Sequence, residues 1–283
     1  MNVLVTGITG QLGYDVLKCL CSRQIPCIGA GRKDFDLTDR EAVLAFISEK
    51  KPDAIIHCAA FTDVNRAESE EALCRAVNVD GTCNLAQAAK AVGAKMLLVS
   101  TEYVFPGEGE GYYEVYDKTA PLNVYGASKR DAELALIGCM TQYFIVRISC
   151  GFGKNGNNFI KTMLKFGRER EEIRVVHDQV GSPTYTKDLA KLLCDMIVTD
   201  KYGVYHATNE GVCSFAELAE EVMYQAGFPA RIVPITSEEY PSPAIRPKNS
   251  RLSKTSLDQA GFSRLPAWKD ALYRYLEEIR GQY

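Results

Sequence analysis

The chain opens on a short apolar run, NVLVT (2–6), that passes straight into TGITGQLG. Gly7, Gly10 and Gly13 stand between a first strand and a first helix (11–22). Glycine there lets the backbone turn tightly and come close to a pyrophosphate, which rests on the helix N-terminus. The spacing is G-x-x-G-x-x-G rather than G-x-G-x-x-G. Its position still points to a dinucleotide site built from Gly7, Gly10, Gln11, Leu12 and Gly13.

The pattern that follows repeats the same unit. Strands are expected at 25–31, 53–60, 95–101 and 143–149. Helices are expected from about Asp39, with Thr38 as N-cap, then over 69–92 and 123–138. Near-continuous apolar strands alternating with helices predict a doubly wound parallel α/β sheet, Rossmann-like in form. After Ser149 glycine, asparagine and proline become frequent, as in GFGKNGNN and YPSPAIRPKNS. Helices at 157–169, 184–198, 214–226 and 267–279, with short strands at 173–176, 203–206 and 231–235, suggest a smaller C-terminal lobe. The expected division is 1–150 for dinucleotide and catalysis, and 151–283 mostly for substrate, with segments returning to the core.

Composition removes several function classes. The 283 residues carry a net charge of −3 with no basic stripe, which argues against nucleic acid. No apolar run approaches the ~18 residues of a membrane helix. MNVLVTG enters a strand without a basic leader, and none of the ten cysteines forms C-x-x-C. Buried thiols in a reducing cytoplasm are therefore expected. His57, His177 and His206 are dispersed, without metal spacing, and read as structural.

The chemistry is carried by Ser100, Thr101, Tyr125 and Lys129. Tyr125 and Lys129 are four apart and share a helix face. An ammonium beside the phenol is expected to lower its pKa, making it a proton donor or acceptor for a carbonyl–alcohol pair. Arg32 and Lys33 after the second strand favour NADPH through its 2′-phosphate; Asp34 leaves NADH open. Asp36 and Leu37 stand where they would flank the adenine. Asn157, Asn158, Gln179 and Arg246 offer donors to a diphosphate-linked substrate, with Arg246 stiffened between Pro243 and Pro247.

Longer segments match a known family. HCAAFTDVNRAE (57–68), AVNVDGTCNLA (76–86), STEYVFPG (100–107), PLNVYGASK (121–129), GKNGNNFIKTML (153–164), DQVGSPTYTKDLA (178–190) and RPKNSRLS (246–253) run nearly end to end. The chain resembles the extended short-chain dehydrogenase/reductases, and within them the dTDP-4-dehydrorhamnose reductase family. The resemblance implies NADPH-dependent reduction of a nucleotide-linked 4-keto-6-deoxy sugar. It makes Tyr125 the proton donor, Lys129 the ribose ligand and Thr101 a hydrogen-bond partner of the reacting oxygen. It places Ala59, Ala60 and Thr62 along the cofactor cleft, Asn78 as a structural asparagine, and Glu102, Tyr103 and Cys150 near the sugar. Glu102 replaces the family's usual Asp, and Cys150 a frequent Trp. A homodimer, in some members with magnesium between acidic side chains, is also implied; Glu68 lies in a matching segment, but no metal ligand set is assigned. Two other readings stand beside this one. One is an epimerase or dehydratase of the same fold, disfavoured because Glu102-Tyr103 replaces Asp-Glu. The other is a non-catalytic regulatory subunit resembling that of methionine adenosyltransferase.

Overall fold

The computed structural model describes residues 1–282. The first half runs β1 (Val3–Thr6), α1 (Gln11–Ser22), β2 (Cys27–Ala30), α2 (Arg40–Lys50), β3 (Ala54–His57), α3 (Val64–Ser69), α4 (Glu71–Arg75), α5 (Gly81–Val92), β4 (Lys95–Thr101), α6 (Val124–Cys139) and β5 (Tyr143–Ile148). Then follow β6 (Gly151–Phe152), α7 (Phe159–Glu169), β7 (Glu172–Val176), β8 (Val180–Gly181), β9 (Thr184–Tyr185), α8 (Thr186–Ile197) and β10 (Gly203–His206). The last part holds β11 (Cys213–Ser214), α9 (Phe215–Ala226), β12 (Arg231–Ile235), β13 (Asn249–Ser250), α10 (Thr255–Ala260) and α11 (Trp268–Glu278).

Six strands form one parallel sheet in the order β10-β5-β4-β3-β1-β2. Side chains alternate faces along a strand. Val3, Val5, Ala54, Ile56, Phe144 and Val146 accordingly meet Val16 and Leu20 of α1 and Leu189 and Leu193 of α8. Leu4, Ile55, Met96, Leu98 and Ile145 face Val43 and Ile47 of α2, Leu85 of α5 and Leu136 of α6. Burial on both faces explains why these strands read as continuous apolar runs. Phe152, Ile160, Leu164, Tyr185, Val222, Leu272 and Tyr275 build a further core among α7, α9 and α11.

Local chemistry corrects two expectations. Asp39, not Thr38, caps α2: its carboxylate accepts from Ala42 N, while Thr38 hydrogen-bonds Asp36. The helix expected over 69–92 is broken at Glu70, and a π-helical turn, Ala76–Asp80, separates α4 from α5. That turn holds Asn78, whose side chain explains the break. Asn78 Oδ1 accepts from Phe61 N at 2.7 Å, and Nδ2 donates to Phe61 O at 3.1 Å and to Ser128 Oγ at 2.9 Å. It therefore ties the loop after β3 to α6, and 203–206 joins the main sheet as β10.

Candidate active site

The C-terminal ends of β1, β3 and β4 converge on the glycine turn. Gly7 has φ +72°, and a Cβ there would lie 2.7 Å from Ala59 N. At Gly13 a Cβ would lie 2.3 Å from Gly7 O. Turn, α1 and the Ala59–Ala60 loop thus close on one another as a cradle that admits no side chain. Gly10 is the N-cap of α1 and supplies no side-chain acceptor, so the first amides of the helix stay available to an anion. These residues fit a dinucleotide pyrophosphate.

The side chains of Gln11 and Leu12 point away from the glycine turn, which leaves their backbone amides at the start of α1. Gln11 Oε1 accepts from Gly153 N at 2.8 Å and from Asn158 Nδ2 at 3.0 Å, and Leu12 packs into the core. Arg32 lies exposed in the turn after β2, and Asp36 is held below the usual carboxylate range by the Thr38 amide, its hydroxyl and the nearby Arg32. Leu37 is half-buried against Gly81, Ala59 and Ala60 are half-buried, and Thr62 is exposed.

Thr101 ends β4, and Tyr125 lies in the first turn of α6, which starts where Asn123 Oδ1 accepts from Gly126 N. The Tyr125 phenol is within hydrogen-bonding reach of Thr101, and its ring meets Tyr103 edge-on at 5.6 Å. Thr101 Oγ1 donates to Glu102 Oε2 at 2.6 Å. Lys129 Nζ donates to Val99 O at 2.8 Å.

The expected lowering of the Tyr125 pKa is not what this environment does. Burial, then the Glu102 charge, pushes the phenol upward, and the Thr101 hydrogen bond opposes them weakly. Burial brings Lys129 down to about 8. A phenol so held keeps its proton at neutral pH and yields it to a stronger base, which an alkoxide is. Burial also raises Glu102 to about 7, against hydrogen bonds from Thr101, Ser149 and Cys150.

The Glu102 shift is a statement about stability. Its carboxyl titrates at a higher pH folded than the ordinary 4.5, so the ionised form destabilises the fold. That cost is absent below the unfolded value, grows as pH rises and is complete above about 7. Glu102→Gln is expected to stabilise the fold more at pH ~8 than at pH ~5, by on the order of a few kcal/mol, with a correspondingly larger rise in Tm at the higher pH. Equal shifts at the two pH values, read by scanning calorimetry, would refute the burial cost.

Beside Thr101 and Tyr125 opens a cavity lined by Glu102, Tyr103, Ser149, Cys150, Gln179 and Pro247, closed by Cys213 and Phe215. Cys150 holds the left-handed φ of +43°, and burial lifts its thiol to about 12. Gln179 Nε2 donates to Ser237 Oγ at 2.9 Å. Arg246 reaches the rim through Tyr103 and binds Asn65 Oδ1 at 3.0 Å and Ser242. No carboxylate pairs with it among the described residues.

Two predicted substrate residues fall elsewhere. Asn158 is the N-cap of α7, accepts from Lys161 N, and spends its amide on Gln11, Gly153 and Tyr275. Asn157 is exposed on the preceding turn and is not part of the cavity wall. The sequence reading missed Ser149, Gly181, Pro183, Cys213, Phe215, Leu218 and Ser250 in that wall. Ser149 had a signal, because it follows the C-terminal end of β5. The others come from two-residue strands and a helix start, which carry no periodicity.

Two of the three histidines are buried, and none lines the cavity. His57 Nδ1 lies 2.7 Å from Thr6 Oγ1, and burial drives its ring down to about 3. His206 is buried beside Arg147, and His177 is exposed. Glu68 Oε1 accepts from Val124 N at the start of α6. Among the described residues, no group of three or more His, Cys, Asp or Glu could hold a metal ion. None of their helices is long and apolar enough to cross a membrane.

Residues 1–280 match the family model described as the RmlD substrate binding domain. The chain is 40% identical over 286 residues to the dTDP-4-dehydrorhamnose reductase of Streptomyces griseus, covering 99% of this chain and 94% of that one. Among solved structures it is similar to a dTDP-4-dehydrorhamnose reductase of Clostridium acetobutylicum, at 38% identity, TM-score 0.97, and coverage of 99% and 100%. It is also similar to the Bacillus anthracis dTDP-4-dehydrorhamnose reductase in complex with NADP, at 40% identity, TM-score 0.96, and coverage of 98% and 99%. The chain belongs to the RmlD substrate binding domain family, the family of the dTDP-4-dehydrorhamnose reductases.

Proposed function

We propose that this chain reduces a nucleotide-linked 4-keto-6-deoxy sugar with NADPH, as a dTDP-4-dehydrorhamnose reductase converting dTDP-4-dehydrorhamnose to dTDP-rhamnose. The observation that carries the reading is the half-buried, proton-retaining phenol of Tyr125 within reach of Thr101, whose neighbours Glu102 and Tyr103 line the cavity. When bound, the cofactor supplies hydride to the sugar carbonyl carbon.

The chain's residues do the remaining work. The Gly7–Gly13 turn and the α1 amides would hold the pyrophosphate, Arg32 the 2′-phosphate, and Leu37 and Asp36 the adenine. Lys129, anchored on Val99, would hold the nicotinamide ribose. Tyr125 Oη holds the proton that goes to the forming alkoxide, and Thr101 orients both oxygens. Gln179, Tyr103 and Arg246 receive the nucleotide-linked end. In this reading residues 1–150 serve mainly cofactor and chemistry and much of 151–283 serves substrate, a division that the position of the glycine cradle and the make-up of the cavity wall support.

Oxidation of NADPH on adding dTDP-4-keto-6-deoxyhexose, followed by absorbance, tests the activity. No turnover with any nucleotide-linked 4-keto sugar would sink it. Arg32→Ala is expected to weaken NADPH relative to NADH by roughly tenfold, the worth of one charge-assisted contact. An unchanged ratio of kcat/KM for the two cofactors would remove Arg32 from the site.

Two assignments complete the reading. Pairing of two copies is supported by Leu134 and Ile137, exposed on α6; a monomer mass by light scattering would refute it. A cytoplasmic location is supported by ten cysteines that all remain free thiols.

A further inference from the structure

The far end of the first βαβ unit carries a feature the reductase chemistry does not use. Cys21 Sγ and Cys27 Sγ lie 3.5 Å apart, with Cys21 exposed and Cys27 half-buried. A disulfide needs about 2.05 Å, so the sulfurs must close by roughly 1.5 Å, within the reach of side-chain rotation. The corner between them is already fixed. Arg23 N bonds Cys19 O at 3.1 Å, Gln24 N bonds Cys21 O at 3.0 Å, and Ile25 N bonds Leu20 O at 3.1 Å. Gln24 holds the left-handed φ of +58°. Little chain entropy therefore remains to oppose joining the two residues.

We propose that Cys21 and Cys27 form a reversible oxidation site, a dithiol that peroxide converts to a disulfide stapling α1 to β2. Exposed Cys21 attacks one peroxide oxygen, the O–O bond breaks, and water leaves with Cys21 as the sulfenic acid. The Cys27 sulfur then attacks that sulfur, the S–O bond breaks, a second water leaves, and the S–S bond forms. Two electrons pass from two thiols to one peroxide. Burial, then contact with Cys21, keeps the proton on Cys27, so exposed Cys21 is the thiol that meets peroxide first, and Cys27 gives up its proton as it attacks the sulfenic sulfur.

The staple leaves the cofactor site alone. Val3 pairs with Cys27 at the start of the parallel β1–β2 ladder, whereas Gly7 follows its other end. A second pair competes for oxidant: Cys19 on α1, brought down to about 7 chiefly by its contact with Cys194 of α8.

The test treats reduced full-length protein with hydrogen peroxide, alkylates free thiols, and digests with trypsin without reductant. Wild type should lose two of its ten thiols and yield peptide 19–23 linked to peptide 24–32. Cys21→Ser and Cys27→Ser should each abolish the link, and Cys19→Ser should keep it. The oxidised protein should melt at a higher temperature with unchanged turnover, and dithiothreitol should reverse the rise. Linkage of 19–23 to 192–201, loss of the link in Cys19→Ser, or oxidation scattered without a link would overturn the proposal.

Discussion

Replacing Tyr125 by Phe is expected to cut turnover by ~10²–10⁴-fold, the usual worth of a positioned proton donor. The substitution removes one oxygen. The ring that packs edge-on against Tyr103 remains, and α6 keeps its Asn123 cap and its Lys129 anchor on Val99. NADPH affinity, measured by fluorescence titration, should therefore stay near wild type. The effect should appear in kcat more than in KM, because the proton is needed only as charge develops on the sugar oxygen. The upward-shifted phenol adds a pH signature: wild-type reduction should show no loss from Tyr125 ionisation across the neutral range. Turnover of the Phe variant within a few-fold of wild type would transfer the donor role elsewhere, with Glu102 next in line.

The positions of the sheet strands, the glycine turn and the Tyr125–Lys129 face were legible because each rests on local spacing. An apolar run of a few residues, a turn that excludes side chains, and a four-residue helical offset all read directly from the chain. What escaped was set by three-dimensional burial. Nothing in the spacing of Tyr125 and Lys129 says that Lys129 will bond the Val99 carbonyl, or that Glu102 and burial will raise the phenol. Asn158 looked like a ligand because asparagine carries donors, yet its Oδ1 caps α7 and its Nδ2 donates to Gln11, Gly153 and Tyr275. Gln11 was placed by its neighbours in the glycine turn, but its side chain turns toward the loop around Gly153. The cavity wall escaped for a different reason: β8, β11 and β13 are two residues each, and they pair residues tens of positions apart.

Glu133→Ala is expected to cost about 3–5 kcal/mol of folding stability, the price of stranding a buried charge. Glu133 lies on the Tyr125–Lys129 stripe of α6, four residues beyond the lysine. Its carboxylate takes Arg147 Nε at 2.9 Å and Nη2 at 2.7 Å, and Ser100 Oγ at 2.5 Å. Arg147 and Glu133 side chains are only 6% and 4% exposed, so truncation leaves the guanidinium in a dry interior. The remaining partners, Val115 O at 3.1 Å and His206, are neutral, and the ring of His206 is itself kept uncharged by burial. Removing both charges differs in kind: a Glu133→Leu, Arg147→Met double variant strands neither charge of the pair, leaves only the neutral Ser100 hydroxyl and Val115 carbonyl without their partners, and should recover most of the loss. Urea unfolding of the two variants decides the matter. The pair binds α6 to β4 and β5, so the single variant should also lose turnover by misplacing Lys129. A single variant within about 1 kcal/mol of wild type would show that packing alone holds α6 on the sheet.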